Sequence, residues 1–180
     1  NKPLAPSTIS VKRQTSFGSS SVQPKDFDGA TLFLTKAKGT VREFIYSDLS
    51  QGYNSDAINL LAQHMTGVPV DMETQTESSD QIEGYMYLIN SDGHMAVFMS
   101  IRKESLNGWT EYQTNGSFKN ISNVNRQIYL VAERTINSST VTSLELLSND
   151  YHTDMASQLT NGSATTTYQV AHLPSTAVVV

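Results

Sequence analysis

Three times along this chain, two apolar runs flank a short polar turn. Thr31-Leu32-Phe33-Leu34-Thr35 and Thr40-Val41-Arg42-Glu43-Phe44-Ile45-Tyr46 flank Lys36-Ala37-Lys38-Gly39. Residues 85–89 and 94–101 flank Asn90-Ser91-Asp92-Gly93, and residues 128–132 and 140–147 flank a turn near Asn137-Ser138-Ser139. Short apolar runs bounded by such residues read as strands, and Asp-Gly between two of them marks a hairpin. Aligned at Leu34, Leu88 and Leu130, the hairpins lie 54 and 42 residues apart.

The longer interval holds a different pattern. Ser55 can cap a helix, and Asp56 places negative charge in its first turn. Ile58, Leu61, Ala62 and Met65 follow helical spacing and give one apolar stripe, after which Gly67 and Pro69 stop it. The spacing predicts a helix over 56–65. Setting aside about a dozen residues for it and its flank brings the two intervals into line, at the period of a propeller blade. Weaker strands at 109–112 and 118–122 lie between hairpins. A hairpin with two flanking strands makes a four-stranded blade. The expected fold is all-β: propeller-like blades of antiparallel hairpins with one short inserted helix, two to three blades lying within 30–147. Closure of a propeller takes typically four to eight blades. The expected arrangement is therefore an open array or part of a larger one, with a twisted β-sandwich as the alternative.

Residues 1–29 read as an extended N-terminal segment rich in Ser, Pro and Thr, with Ile9 and Val11 alternating briefly as an edge strand. Residues 30–149 hold the blades. From 150 to 180 the pattern changes: Asn161-Gly162 turns into a Thr-rich strand, and a further strand starts at Val178, as expected for the beginning of another small β domain. The chain opens without Met and stops within a strand pattern, so it reads as a piece of a longer protein.

A hydrophobic share of 38% suits many strands and turns around a thin core, while a charged share of 16% is too low for a solvating disordered chain. Charge is uneven. Residues 1–46 hold seven of the twelve Lys and Arg against Asp26, Asp28 and Glu43, which makes that segment +4 in a chain of −5 and leaves −9 to the rest. Cysteine is absent, which excludes disulfides, thiolate nucleophiles and Cys-ligated metals. No apolar run approaches the ~18–20 residues of a membrane span.

Candidate chemistry is sparse. His64, His94, His152 and His172 show no metal-ligand spacing, and Asp150-Tyr151-His152-Thr153-Asp154 reads as a solvated turn. Asp26-Phe27-Asp28-Gly29 lacks the third acid and the Glu of a calcium loop and reads as a strand-entry turn. Glu73, Glu77, Asp80 and Glu83 cluster in a polar connection. There is no Gly-x-Ser-x-Gly elbow and no phosphate-cradling glycine loop. A distant carboxylate pair of glycosidase type is set by geometry and stays open. Trp109, Tyr112, Tyr85 and Tyr87 could form a sugar-binding platform, although strands favour aromatics for packing alone. No catalytic, cofactor or metal residues are assigned and no enzyme activity is expected.

Three blocks carry a family likeness: Pro3-Leu4-Ala5-Pro6-Ser7-Thr8-Ile9-Ser10-Val11-Lys12 with Gln14-Thr15-Ser16-Phe17-Gly18-Ser19; Val41-Arg42-Glu43-Phe44-Ile45-Tyr46 with Gly52-Tyr53 and 56–65; and Glu133-Arg134-Thr135-Ile136-Asn137 followed by Ser143-Leu144-Glu145-Leu146-Leu147 and the turn 151–154. In order and spacing they resemble blocks of the tail nozzle proteins of short-tailed bacteriophages. Ile58 and Met65 stand where the resemblance leads one to expect leucine, and family members are several times longer. The resemblance implies a virion structural protein of the phage tail. Such proteins form a ring, typically of six copies, below the head-to-tail adaptor. They carry fibres or a plug and pass genomic DNA during ejection. The expected partners are therefore further copies of the chain, the adaptor, tail fibre proteins and DNA in passage. An acidic body would suit a channel lining, because like charge keeps DNA from sticking. A carbohydrate-binding or carbohydrate-cleaving propeller is the alternative, and an adhesion module a third possibility.

Overall fold

A computed structural model describes residues 5–6, 9, 12–36, 39–76, 81–148 and 176–179. It is all-β, with three four-stranded antiparallel sheets, each a simple up-and-down meander. The first sheet contains β1 (Lys25–Phe27), β2 (Ala30–Leu34), β3 (Val41–Ser47) and β4 (Gly52–Ala57). The second contains β5 (Pro69–Gln75), β6 (Gly84–Asn90), β7 (Met95–Ile101) and β8 (Leu106–Tyr112). The third contains β9 (Ser117–Val124), β10 (Gln127–Ile136), β11 (Ser139–Ser148) and β12 (Thr176–Val179).

The three predicted hairpins are the central pairs β2–β3, β6–β7 and β10–β11, with Leu34 opposite Val41, Leu88 opposite Ala96 and Leu130 opposite Glu145. The turns follow local chemistry. Asp28-Gly29, Asn125-Arg126 and Asn137-Ser138 each have positive φ at both central positions, as two-residue hairpins with the right-handed strand twist require. Asp28-Gly29 is thus the reversal between β1 and β2, matching its reading as a turn. The edge strand expected at Ile9 and Val11 is absent at Ile9, and Val11 lies outside the described residues.

Two cores separate three layers. Leu32, Leu34 and Val41 of the first sheet pack against Met72, Met86, Leu88, Ala96 and Phe98 of the second. The opposite face of the second sheet, with Tyr87, Ile89, Met95 and Val97, packs against Phe118, Ile121, Ile128, Leu130 and Ala132 of the third. This arrangement explains the sequence pattern. Residues 86–89 and 95–98 are uninterrupted buried runs because both faces of the second sheet are covered. In β10, Ile128, Leu130 and Ala132 are buried and alternate with less buried neighbours, because among the described residues only one face meets another sheet. Each large side chain so buried contributes about 1.5–3 kcal/mol.

The first strands of the three sheets lie side by side. Thr74 Oγ1 of β5 donates to the Asp26 carbonyl of β1 (2.9 Å), and Lys25 Nζ reaches Glu73 Oε2 (3.0 Å). On the other side, the Ile121 N–H of β9 donates to Asp71 Oδ2 (3.0 Å), and Asn123 Nδ2 donates to the Thr74 carbonyl (2.8 Å). These bonds knit strand edges whose ladders are otherwise open on that side.

The predicted helix over 56–65 does not form; no α-helix occurs among the described residues. Ser55 and Asp56 belong to β4, paired with Phe44 and Glu43. Beyond them the backbone makes successive i→i+3 turns, with Ala62 N–H donating to the Asn59 carbonyl and Met65 N–H to the Ala62 carbonyl (both 3.0 Å). The fully buried Asn59 organises this path. Its Oδ1 accepts from the Val41 N–H (3.1 Å), while Nδ2 donates to the Gly39 carbonyl (3.2 Å) and to Thr66 Oγ1 (2.7 Å). Three of the four stripe residues still leave water: Ile58 and Met65 pack against the first core, and Ala62 is buried. Leu61, which a helix would bury, is 96% exposed. An isolated helix of ten residues is marginal in water without a packed face, and here β4 pairing and the Asn59 bonds take its residues. The surplus of the first repeat interval therefore lies in connections, chiefly 58–68, rather than in an inserted helix.

The further β domain expected from 150 falls mostly on residues outside the described ones. Of that stretch, Thr176–Val179 forms β12, hydrogen-bonded to β11 with Ser148 opposite Thr176.

Candidate functional site

Among the recesses beside the sheets, two carry candidate chemistry. The first is a cavity of about 360 Å³ between the first and second sheets. Phe27 and Phe98 form its apolar wall, and Glu43, Ser100, Arg102 and Asn107 its polar one. Glu43 comes from β3, while Arg102 starts a single 3₁₀ turn after β7 that ends at Ser105 in the left-handed region. The two side chains meet as an ion pair, with Arg102 Nη2 donating to Glu43 Oε1. Glu43 is the one carboxylate on the cavity wall and is already engaged. A two-carboxylate glycosidase arrangement, which needs a second acid several ångströms away, is not assembled there.

The second recess, about 300 Å³, lies on the face of the second sheet toward the third, where Tyr85, Val97, Met99, Gly108, Thr110 and Tyr112 leave a groove. Gly108 has open space where a side chain would stand. Strand register puts the tyrosines on one face: Tyr85 is opposite Met99 and Met99 opposite Gly108, with Tyr112 opposite Met95, two same-face positions along β7. Tyr85 and Tyr87 stack with ring centroids 6.1 Å apart. Burial, and to a lesser degree the charge of Glu83 and the nearby Tyr112, push the Tyr85 hydroxyl up from its usual pKa. Burial alone does the same at Tyr112, and Tyr87, hydrogen-bonded to Gln75 Oε1 (3.1 Å), is raised furthest. All three are neutral donors at physiological pH.

The predicted aromatic platform is thereby divided. Tyr85 and Tyr112 reach the second recess and Tyr87 lies buried in the core beside it. Trp109 also borders the second recess, but its ring packs against the first core, its Nε1 donating to the Ile58 carbonyl (3.1 Å). Strand alternation made this division readable: Trp109 and Tyr112 are three residues apart and so point to opposite faces of β8.

The other candidates separate. His94 Nδ1 contacts Glu111 Oε1 (2.7 Å), with Asp92 3.9 Å away. Among the described residues no group of three or more His, Asp or Glu could hold a metal ion. Glu73 is held by Lys25, and Glu77, Asp80, His152, His172 and the turn 150–154 lie outside the described residues.

A buried ion pair that the sequence reading did not single out sits in the third sheet. Glu145, fully buried, receives Arg134 Nε and Nη2 at 2.7 Å each and Ser143 Oγ at 2.8 Å. Arg134 Nη1 continues to Thr114 Oγ1 (2.7 Å) and the Asn115 carbonyl (3.1 Å) in the connection from β8 to β9. Burial pushes the Glu145 carboxyl up. The Arg134 and Ser143 hydrogen bonds and the Arg134 charge outweigh it and hold the group below its ordinary value. The network ties the second sheet's exit to the third sheet, an architectural task.

The two ends of the stack are the remaining surfaces. By register, Phe33, Arg42, Phe44, Tyr46 and Tyr53 share the outer face of the first sheet. Phe44 and Tyr53 stack at 4.8 Å, Tyr46 meets Tyr53 edge-on at 5.4 Å, and the Arg42 guanidinium lies 3.3 Å above the Phe17 ring. The outer face of the third sheet carries Val124, Tyr129, Val131, Leu144 and Leu146. Comparison with protein-family models and with curated proteins finds no match to this sequence.

Proposed function

We propose that this chain is a structural segment of a bacteriophage tail nozzle, made of consecutive propeller-like blades. The observation that carries the reading is the repeat of three four-stranded meanders stacked face to face, with their first strands side by side. That is how successive propeller blades are arranged, and the second and third of the blocks that resemble nozzle proteins fall largely on these sheets. In this reading the protein works in the virion tail, forms a ring with further copies of itself, and meets the head-to-tail adaptor and tail fibre proteins. It lets DNA pass without recognising its sequence and carries out no catalysis. The sites found fit this role: the ion pairs are spent on holding sheets together. Electron microscopy of the full-length protein tests it. A closed ring with a central channel is expected; isolated monomers overturn it. If the acidic residues line that channel, reversing their charge slows DNA ejection, and unchanged kinetics reject that placement.

A carbohydrate-binding role is the second reading, favoured by the groove between Tyr85 and Tyr112. Aromatic rings with a few polar groups in a recess are the usual make-up of a small-molecule site. A glycan array and a glycosidase screen with wild type and Tyr112→Ala decide it: binding lost in the variant supports it, and no binding by either rejects it.

A further inference from the structure

We infer that the cavity between the first and second sheets binds a single uncharged sugar residue, at a site separate from the groove of Tyr85 and Tyr112. The inference depends on neither functional reading above. It starts from polar atoms that the fold leaves unused. Arg102 donates from Nη2 to Glu43 Oε1 and to the Phe27 carbonyl (3.4 Å). Among the described residues, Arg102 Nη1 and the second oxygen of Glu43, Oε2, have no hydrogen-bond partner. Ser100 is only 4% exposed, yet its hydroxyl also makes no hydrogen bond among the described residues. All three side chains border the cavity. Arg102 Nε is sealed from solvent and takes no part, whereas none of the three unused atoms is sealed. A molecule in the cavity can therefore reach them. Polar groups at such depth are nearly always satisfied, and here the satisfying partner has to come from within the cavity.

Charge and shape then choose the ligand. Glu43 and Arg102 neutralise one another, so an entering cation or anion meets a charge already compensated. What remains is an acceptor beside a donor. A hydroxyl group both donates and accepts, so it can take a bond from Arg102 Nη1 while giving one to Glu43 Oε2. Bonds to ionised groups are the stronger kind. Neighbouring hydroxyls on one sugar ring extend the pattern to Ser100 and to Asn107, whose amide has no partner among the described residues. Phe27 and Phe98 offer an apolar wall to the C–H face of the ring. An apolar wall with a few convergent polar groups is the usual make-up of a small-molecule site, and about 360 Å³ lies near the small end of such sites. That volume suits a monosaccharide unit rather than a chain. The rim is already formed. The Ser105 N–H donates to the Arg102 carbonyl (3.0 Å) and closes the 3₁₀ turn, so binding has no loop to order.

Nuclear magnetic resonance of the isotope-labelled chain tests this. Glucose, galactose, mannose and N-acetylglucosamine are titrated singly, with glucuronate and, at mildly acidic pH, glucosamine as charged counterparts. At least one neutral sugar should shift the signals of Ser100, Arg102 and Asn107 saturably, and at lower concentration than either charged sugar. Ser100→Ala and Asn107→Ala each remove a side chain without a hydrogen bond in the described structure, so folding is retained, which the same spectra check. Each should weaken binding about 2–10-fold, the scale for one hydrogen bond. Leu144→Ala, at an exposed position on the third sheet, should leave binding unchanged. No shift with any sugar, tighter binding of a charged sugar, or binding that neither cavity variant weakens overturns the inference. Shifts confined to Tyr85 and Tyr112 also overturn it and support the groove instead. The nozzle reading, tested by the ring, stands or falls separately.

Discussion

Removing Arg134 should be among the most damaging single changes at a partly exposed position. Arg134→Met leaves the Glu145 carboxylate fully buried and without its cation. Breaking a buried pair in this way costs about 3–5 kcal/mol. The variant also loses the bonds to Thr114 Oγ1 and the Asn115 carbonyl, worth about 0.5–1.5 kcal/mol each. A double variant, Arg134→Met with Glu145→Leu, removes the stranded charge and should recover most of the loss, falling short by about 1–3 kcal/mol for those two bonds. The pH dependence has a definite sign. In wild type the Glu145 carboxyl is held below its ordinary value of 4.5, so its stabilisation is full above that value and is lost as pH falls through the folded one. In Arg134→Met, burial, opposed only by the Ser143 hydrogen bond, raises the carboxyl, so the penalty is greatest at neutral pH and shrinks as acid neutralises the group. The assay is urea unfolding at several pH values from 4 to 8, followed by far-UV circular dichroism. Fluorescence of Trp109, the chain's one tryptophan, follows the first core in parallel. A penalty below about 1 kcal/mol at neutral pH, or one that does not change between acid and neutral solution, would refute the reasoning.

Three further outcomes follow from the fold. Leu88→Ala, at a fully buried site between the first and second sheets, should cost about 2–5 kcal/mol in chemical denaturation, while Leu61→Ala should stay within about 0.5 kcal/mol; a large Leu61 effect would restore a packed helix at 56–65. Asn59→Ala orphans the Val41 N–H and should destabilise by about 1–3 kcal/mol for that group alone, with faster hydrogen exchange at Val41 and Thr66 as the local readout; unchanged exchange at both would count against Asn59 as organiser of the connection. Gly116→Ala places a methyl group against the Glu133 carbonyl at a φ of 154° and should lower the melting temperature by several degrees, whereas Gly108→Ala, facing open space, should leave it nearly unchanged.

Much of the fold was legible because hairpins are local. Asp92-Gly93 between two apolar runs, and the apolar run 128–132 of β10, announce strand and turn within a few residues. The strands that went unread are those with little local pattern. β4, Gly-Tyr-Asn-Ser-Asp-Ala, has few apolar residues, because it is an edge strand specified by pairing with β3. β1 is three residues long and is held by β2 and by side-chain bonds from β5. The helical stripe misled because inward residues at 58, 62 and 65 fit a helix and a series of tight turns equally well. What decided between them was Asn59, whose partners Gly39 and Val41 are about twenty residues earlier in the chain.

By itself, the sequence determined the antiparallel hairpins, their repeat at blade length, the absence of cysteine chemistry, and the likeness on which the nozzle proposal stands. All of these depend on short-range propensity and composition. Tertiary structure alone decided which strands join each hairpin, that the second sheet buries both faces, which core or recess each face of β8 meets, and that Arg134 and Glu145 share a buried site. Those features depend on pairs of residues distant along the chain. Their energies come from removing specific surfaces and charges from water together, and no local pattern records that.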